Sequence, residues 1–253
     1  GTGILALTTV GPVTGGLGYF NNTNLNKSSE INISFGLDLV TTGGGVGATP
    51  TDGLISGGND VYVATVQGDL DFVKLEAWYL GMQDTFNSYT LAANGNIDLA
   101  ENAKIGLEAR YVNLKLKQDA ANGLNGTLGV TDAETKNDMF RLAVDGKFSI
   151  VNARLAYTKT DKDGGLTALD QDAKNTSLGW FITSNGVADA DYFQAALGAD
   201  ILDNLNFTLH YGNIKAKDQT NTTKKLAVNL QNYKAQEVYG QLTYKMSKNL
   251  TTY

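Results

Sequence analysis

Apolar and polar residues alternate with a period of two through much of this 253-residue chain. In residues 104–111, the odd positions are apolar and the even positions are charged or glycine. Successive side chains of a β-strand point to opposite faces, so this pattern predicts strands with one face in an apolar medium and one in water. An all-β fold is therefore expected. The same alternation occurs at 72–79, 140–145, 193–201, 207–211 and 238–246.

The predicted strands have the length that crossing a membrane requires. A tilted strand crosses a bilayer in about 9–11 residues, whereas a spanning helix needs roughly 18 consecutive apolar residues, and no run here approaches that. A β-barrel suits such a sequence, because only every second residue of its wall faces lipid. Strands are placed at 3–10, 13–21, 59–67, 71–82, 87–97, 104–117, 138–148, 151–160, 190–201, 205–216 and 234–246, and a twelfth begins at 250.

Short and long connections alternate between these strands, with one exception at 83–86. Short turns at one rim and long loops at the other are typical of outer-membrane barrels. We therefore expect residues 1–253 to form one antiparallel up-and-down transmembrane β-barrel domain that is truncated at both ends. The short connections are at 11–13, 68–70, 98–103, 149–150, 202–204 and 247–249, and the long polar ones are at 22–58, 118–137, 161–189 and 217–233.

A soluble β-sandwich or β-repeat protein is the alternative, since alternation with glycine-rich turns also describes those folds. The outward phases favour the membrane barrel. They carry Val, Leu, Ala, Tyr and Phe in strand after strand, while the opposite phases carry charged and amide residues. Aromatic side chains near strand ends suit the girdle of a membrane barrel. The tyrosines concerned are Tyr79, Tyr89, Tyr111, Tyr157 and Tyr211.

Composition argues against several other classes of protein. The net charge is −6, and the 20 Lys and Arg form no cluster that would neutralise a row of phosphates, so no nucleic-acid partner is expected. The chain has no cysteine, which excludes disulfides, thiolate catalysis and cysteine metal sites. Its one histidine, His210, lies on the polar phase without a nucleophile at a suitable spacing. We expect a solvated wall histidine, and no enzyme.

No cofactor is expected, although one group of loop acids offers oxygen ligands to a hard cation such as Ca²⁺. The ligand spacing of a recognised calcium loop is missing, so solvated loop acids are the preferred interpretation. The residues are Asp161, Asp163, Asp170 and Asp172.

Three stretches resemble consecutive strands of the Campylobacter-type major outer-membrane porins: LEAWYL at 75–80, FNSYTLAA at 86–93 and KIGLEARY at 104–111. The opening GTG and the LGYF at 17–20 resemble an earlier hairpin of that family. The resemblance implies a barrel of about 16–18 strands when complete, set among outer-membrane lipid and lipopolysaccharide. It also implies homotrimers and diffusion of small hydrophilic solutes, and family members are thought to bind calcium.

All three arginines fall on the polar phase of three successive predicted strands. This placement predicts a basic patch on one wall of the pore, although water-facing strand positions often carry charge for no further reason. The expected pore-lining residues are Lys74, Glu76, Glu108, Arg110, Arg141, Asp145 and Arg154.

The long segment 22–58 is the candidate constriction loop. In general porins a long loop folds into the barrel and faces a basic wall, and this segment carries three acids against Lys27 alone. Residues 31–39 alternate like a strand, but an extra wall strand would break the up-and-down order, so loop β-structure is expected there. The three acids are Glu30, Asp38 and Asp52.

The hairpin 138–160 predicts one ion pair. If Ser149 and Ile150 form the turn, Asp145 faces Arg154 across the two strands. A shift by two residues would instead set Lys147 against Arg154, and like charges directly opposite are destabilising. Ser-Ile is a poor match for a two-residue turn, so a four-residue turn over 149–152 stays open.

Two functions are compatible with these patterns. The first is an outer-membrane porin, a water-filled channel for passive diffusion of ions and small hydrophilic solutes. The second is a surface-exposed β-barrel adhesin or binding protein, in which the long loops hold a ligand and the strands only display them.

Overall fold

The computed structural model describes residues 2–23, 58–125, 129–169, 173–216, 224, 226, 234–247 and 250–252. Twelve strands form one sheet in chain order, each pairing antiparallel with the next. Within the described ranges β1 pairs only with β2 and β12 only with β11, so the sheet is not closed. The strands are β1 Gly3–Val10, β2 Val13–Phe20, β3 Val61–Leu70, β4 Val73–Met82, β5 Phe86–Ala100, β6 Ala103–Leu116, β7 Lys136–Phe148, β8 Val151–Thr160, β9 Ala190–Leu202, β10 Leu205–Ala216, β11 Lys234–Ser247 and β12 Leu250–Thr252.

The predicted strands are confirmed, and the main differences lie at two turns. The turns predicted at 68–70 and 98–103 are wrong, because strand pairing continues through most of both. Asp69 faces Lys74 in the first hairpin and Asp98 faces Lys104 in the second, so each strand is extended by a pair of opposite charges. Two-residue turns therefore close these hairpins and three others at the same rim, at 11–12, 71–72, 101–102, 149–150 and 203–204.

The hairpin of β7 and β8 has the predicted register. Phe148 faces Val151 and Asp145 faces Arg154, so the turn has two residues and the four-residue alternative is not adopted. Ser149 takes a φ of 53°, a left-handed conformation that only a minority of non-glycine residues adopt. Good strand pairing on both sides therefore outweighs the poor turn sequence.

The two faces of the sheet differ in polarity as predicted. We call the face to which Leu107, Leu142 and Leu155 point the outer face. These three residues are 45%, 47% and 55% exposed. The inner face carries the three arginines. A contiguous apolar face exposed to this extent marks a surface that something apolar covers.

This polarity inverts near the loop ends of the strands. In β6 the inner-face residues Val112, Leu114 and Leu116 are buried, while the outer-face residues Asn113 and Lys115 are polar. The expectation of a polar inner face along the whole strand is therefore wrong at this end. The same inversion places buried Met139, Tyr192 and Ile214 on the inner faces of β7, β9 and β10.

A helix lies in the connection between β6 and β7, where only a polar loop was predicted. It is α1, Gln118–Asn125, and it buries Ala121 and Leu124 against Leu114 and Leu166. The apolar inner face at this rim gives the helix something to pack on, which explains why it forms. No described helix is long and apolar enough to cross a membrane.

Candidate functional site

The connection between β8 and β9 lies across the inner face of the sheet. We call its residues 173–187 the inner segment. It folds into a small hairpin in which Leu178 bridges Thr183. At one side Asn175 donates to the Thr90 hydroxyl of β5 at 2.9 Å, and at the other the tip contacts Glu237 of β11. The inner segment therefore crosses much of the inner face.

Buried hydrogen bonds hold the base of the inner segment. The Asn185 side chain accepts from the Thr167 amide at 2.9 Å and donates to the Ala168 carbonyl at 2.7 Å. The Thr160 hydroxyl of β8 donates to the Val187 carbonyl at 2.7 Å. These groups are buried with their partners, so opening the base would leave unsatisfied polar atoms at a substantial cost.

Arg141 anchors the middle of the inner segment to the wall. Its guanidinium donates to the carbonyl oxygens of Lys174 at 2.7 Å and Thr176 at 2.8 Å, and to the Ser177 hydroxyl at 3.2 Å. Its Nε donates to Glu108 at 2.7 Å. The residue is only 7% exposed, so this arginine serves as a buried tie.

Arg110 lies directly opposite Arg141 on the neighbouring strand. Two like charges in this position repel each other, and the Glu108 carboxylate offsets that repulsion, at 3.5 Å from the Nε of Arg110 and 2.7 Å from that of Arg141. Arg110 also donates to Asn175 at 3.3 Å and is 4% exposed. Two of the three arginines are thus covered by the inner segment, an arrangement that strand phase alone did not predict.

The other predicted pore-lining residues also lie on the inner face, in two ion pairs. Lys74 and Glu76 are 3.1 Å apart, and Arg154 and Asp145 are 2.6 Å apart, with both pairs partly open to solvent. The predicted cross-strand ion pair is therefore confirmed. A role for these residues in lining a pore stays a prediction.

The predicted constriction loop falls almost wholly outside the described residues, which stop at residue 23 and resume at 58. Its acids Glu30, Asp38 and Asp52 also lie outside the described residues, and their role in a constriction stays a prediction. The structure instead brings forward a segment that sequence reasoning did not single out. One sequence signal pointed to it: Val112, Leu114 and Leu116 are apolar and lie on the inner phase of β6, and apolar residues there need another part of the chain to pack against them.

Two cavities follow one another along the inner face. The first, of about 510 Å³, lies beneath the inner segment, and the second, of about 760 Å³, lies towards the tight turns. They share Arg154, Ala196 and His210, so together they form a continuous trough along the wall. The first also has Lys174, Glu237 and Tyr239, and the second has Asp98, Lys104, Asp145 and Lys147.

An aromatic cluster borders the first cavity. The His210 ring stacks on Tyr239 with centroids 4.6 Å apart, and Trp180 of the inner segment lies 5.8 Å from Tyr239. His210 is on the predicted inner phase. Along β8 to β10, Arg154, Ala196 and His210 are successive register partners, so the small Ala196 leaves a gap between a cation and an aromatic ring.

The candidate calcium ligands are only partly described, since Asp170 and Asp172 lie outside the described ranges. Asp161 accepts a hydrogen bond from the Asp163 amide at 2.8 Å, and burial raises the pKa of its carboxyl above the ordinary value. In the described part of the chain no three acidic or histidine side chains group as metal ligands. Solvated loop acids stay the preferred prediction, and a calcium site stays the alternative.

The fold matches outer membrane proteins of known structure. The outer membrane protein OprD from Pseudomonas aeruginosa aligns with a TM-score of 0.66 at 14% identity, over 98% of this chain and 59% of that one. OpdK from the same bacterium gives 0.66 at 13% identity, over 96% and 59%. OccAB3 from Acinetobacter baumannii gives 0.63 at 14% identity, over 96% and 56%.

No protein-family model matches the chain, and no curated protein sequence matches it. The chain spans less than two thirds of the length of the solved structures that it matches. At 13–14% identity the likeness shows the fold alone. That fold is the antiparallel β-barrel wall of outer-membrane porins.

Proposed function

We propose that this protein is a passive channel of the bacterial outer membrane for ions and small hydrophilic solutes, with no catalytic role. One observation carries the proposal. A sheet with the fold of a barrel wall exposes its apolar face, while its opposite face carries charges, an open trough and the inner segment. A soluble protein would bury the apolar face, whereas a lipid-embedded pore wall needs this arrangement.

In this proposal the inner segment narrows the pore. It lies on the polar side of the wall, tied at Arg141 and at Glu237. The segment 22–58 remains a candidate for a second constriction. Membership of the Campylobacter-type porins, trimeric assembly and contact with lipopolysaccharide belong to the proposal as well, and the resemblance of the strands supports them.

The solute class that best fits the trough is a small carboxylate with a flat ring. Arg154 offers a cation, and the His210 and Tyr239 rings offer a stacking surface across the gap at Ala196. One protein of the same fold, OpdK from Pseudomonas aeruginosa, was crystallised with vanillate, which is such a molecule.

Planar lipid bilayers test the channel directly. The full-length protein should give steady, ohmic single-channel steps, and a ring carboxylate added to one side should reduce the current more than an uncharged ring of the same size. A silent bilayer with well-folded protein would instead favour the alternative, a surface adhesin or binding protein that uses its long loops.

A further inference from the structure

We propose that Glu237 is a positioning residue that sets where the tip of the inner segment lies, and that the site it fills binds a free carboxylate when Glu237 is removed. The effect on conductance rests on the proposed channel function. The effect on the tip itself does not.

The Glu237 carboxylate lies in a nest of backbone amides. It accepts from the amides of Trp180 at 3.1 Å, Phe181 at 2.8 Å and Ile182 at 3.3 Å. The Tyr192 hydroxyl donates to the same carboxylate at 3.4 Å. Consecutive N–H groups that converge on one point form an anion site, because their partial positive charges add. No salt bridge joins Glu237 to any described cation, so these donors are its partners.

Two glycines make room for this carboxylate. A Cβ added at Gly179 would overlap the Glu237 Oε1, and one at Gly212 would lie 3.1 Å from it. Gly179 does not have a left-handed backbone, so conformational freedom is not its reason for being there. The main obstacle to a larger residue at Gly179 is the carboxylate, and the Tyr192 hydroxyl, 2.8 Å from the added Cβ, is a second one.

Glu237 and Arg141 hold the inner segment in complementary ways. Arg141 donates hydrogen bonds to oxygens of the inner segment, and Glu237 accepts hydrogen bonds from its backbone amides. The two residues lie on β7 and β11, which are four strands apart in the sheet. The tip residue Trp180 is 66% exposed and contacts the wall through Tyr239. Ile182 is buried in an apolar cluster with Tyr192 and Ile214, so the exposed residues Trp180 and Phe181 are the part of the tip that depends on Glu237 for its position.

Tryptophan fluorescence tests the position of the tip. Trp78, and any tryptophan of the full-length protein outside these 253 residues, is replaced by phenylalanine so that only Trp180 reports. In the full-length protein, Glu237→Ala should shift the Trp180 emission to the red and make it easier to quench with iodide. The control Glu101→Ala removes the same charge at a tight turn and should change neither reading. Unchanged quenching in Glu237→Ala would overturn the proposal.

A rescue experiment separates the nest from general damage. Formate should restore the emission and quenching of Glu237→Ala, whereas uncharged formamide of similar size should not. Gly179→Ala should release the tip with Glu237 still present, because the new methyl group takes the place of the carboxylate oxygen. Formate should not rescue that variant, since the methyl group blocks the nest. Rescue of neither variant, or of both, would overturn the nest.

Single-channel recording then connects the tip to the pore. Both Glu237→Ala and Gly179→Ala should raise the conductance and its noise, and formate should lower both again in Glu237→Ala only. If fluorescence responds and conductance does not, the nest stands and the proposed constriction fails. If conductance rises without a fluorescence change, Glu237 acts on the pore by its charge and the positioning role fails.

Discussion

The half of each strand near the tight turns and the half near the long loops place their apolar residues on opposite faces. In the half near the tight turns, apolar side chains such as Leu107 and Leu142 lie on the outer face, and the inner face carries charges. In the half near the long loops, the outer face carries Asn113 and Lys115 while Val112 and Leu114 are buried inside. The side chains keep pointing to alternate faces through both halves, but the apolar residues change face at the adjacent pair Tyr111 and Val112, so the media on the two sides have changed.

Aromatic residues mark the level at which the apolar residues change face. Tyr111 faces Phe140, and Tyr157 faces Phe193, all on the outer face. Beyond this level the outer face carries ion pairs, such as Lys136 with Asp138 at 2.9 Å and Lys159 with Asp191 at 3.2 Å. Aromatic rings at a boundary between apolar and charged surface are typical of the edge of a membrane. We infer that the strands continue past the bilayer into water, where loops cover their inner face.

The largest effect should come from removing the buried tie. Arg141→Ala leaves three oxygens of the inner segment without this donor and leaves Glu108 with the more distant Arg110 alone. Breaking one side of a buried ion pair costs about 3–5 kcal/mol. Guanidinium unfolding of the protein in lipid vesicles measures the loss. The control Arg154→Ala removes an open arginine and should cost less than about 1 kcal/mol. Equal costs for the two variants would show that the inner segment is not anchored at Arg141.

This tie also shows where prediction from sequence stops. The strands, their phase and the Asp145–Arg154 register followed from alternation and charge, because those signals are carried by side chains at fixed spacing. Two of the three oxygens that Arg141 binds in the inner segment are backbone carbonyls, which every residue has, so no sequence pattern in 173–187 predicts the contact. The helix α1 was not predicted for a related reason. Asn122 and Gly123 are poor helix formers, so packing against the sheet decides whether this segment is helical.

The second prediction tests whether the loop half has a dry interior. Leu114→Ala removes a fully buried side chain from the inner face and should cost about 2–5 kcal/mol of unfolding free energy in vesicles. Asn96→Ala changes the inner face near the tight turns, beside the open trough. Its unfolding free energy should stay within about 0.5 kcal/mol of that of the unsubstituted protein. A neutral Leu114→Ala would mean that water reaches the inner face in both halves.

The third prediction tests the outer face in the same way. Leu142→Arg places a charge on the apolar band and should cost about 2–4 kcal/mol if the residue lies near the bilayer midplane. Asn213→Arg makes the same charge on the outer face of the loop half, where water is expected, and should be close to neutral. Folding yields and unfolding curves in vesicles give both values. If both substitutions cost the same free energy of unfolding, the level at which the apolar residues change face does not mark a membrane edge.

The smallest effect concerns the one ion pair that sequence reasoning predicted. Arg154 and Asp145 are 2.6 Å apart, yet their side chains are 40% and 48% exposed, so water and salt compete for both charges. A double-mutant cycle with Asp145→Asn and Arg154→Gln should give a coupling energy below about 1 kcal/mol. Because the screening length falls from about 10 Å at 0.1 M salt to about 3 Å at 1 M, the coupling should shrink over that range. The matched cycle on Glu108 and Arg141 should be larger and less sensitive to salt, since that pair is shielded by the inner segment. A large, salt-independent coupling between Asp145 and Arg154 would mean that this part of the trough is closed to water. The contrast between the open trough near the tight turns and the wall covered by the inner segment would then fail.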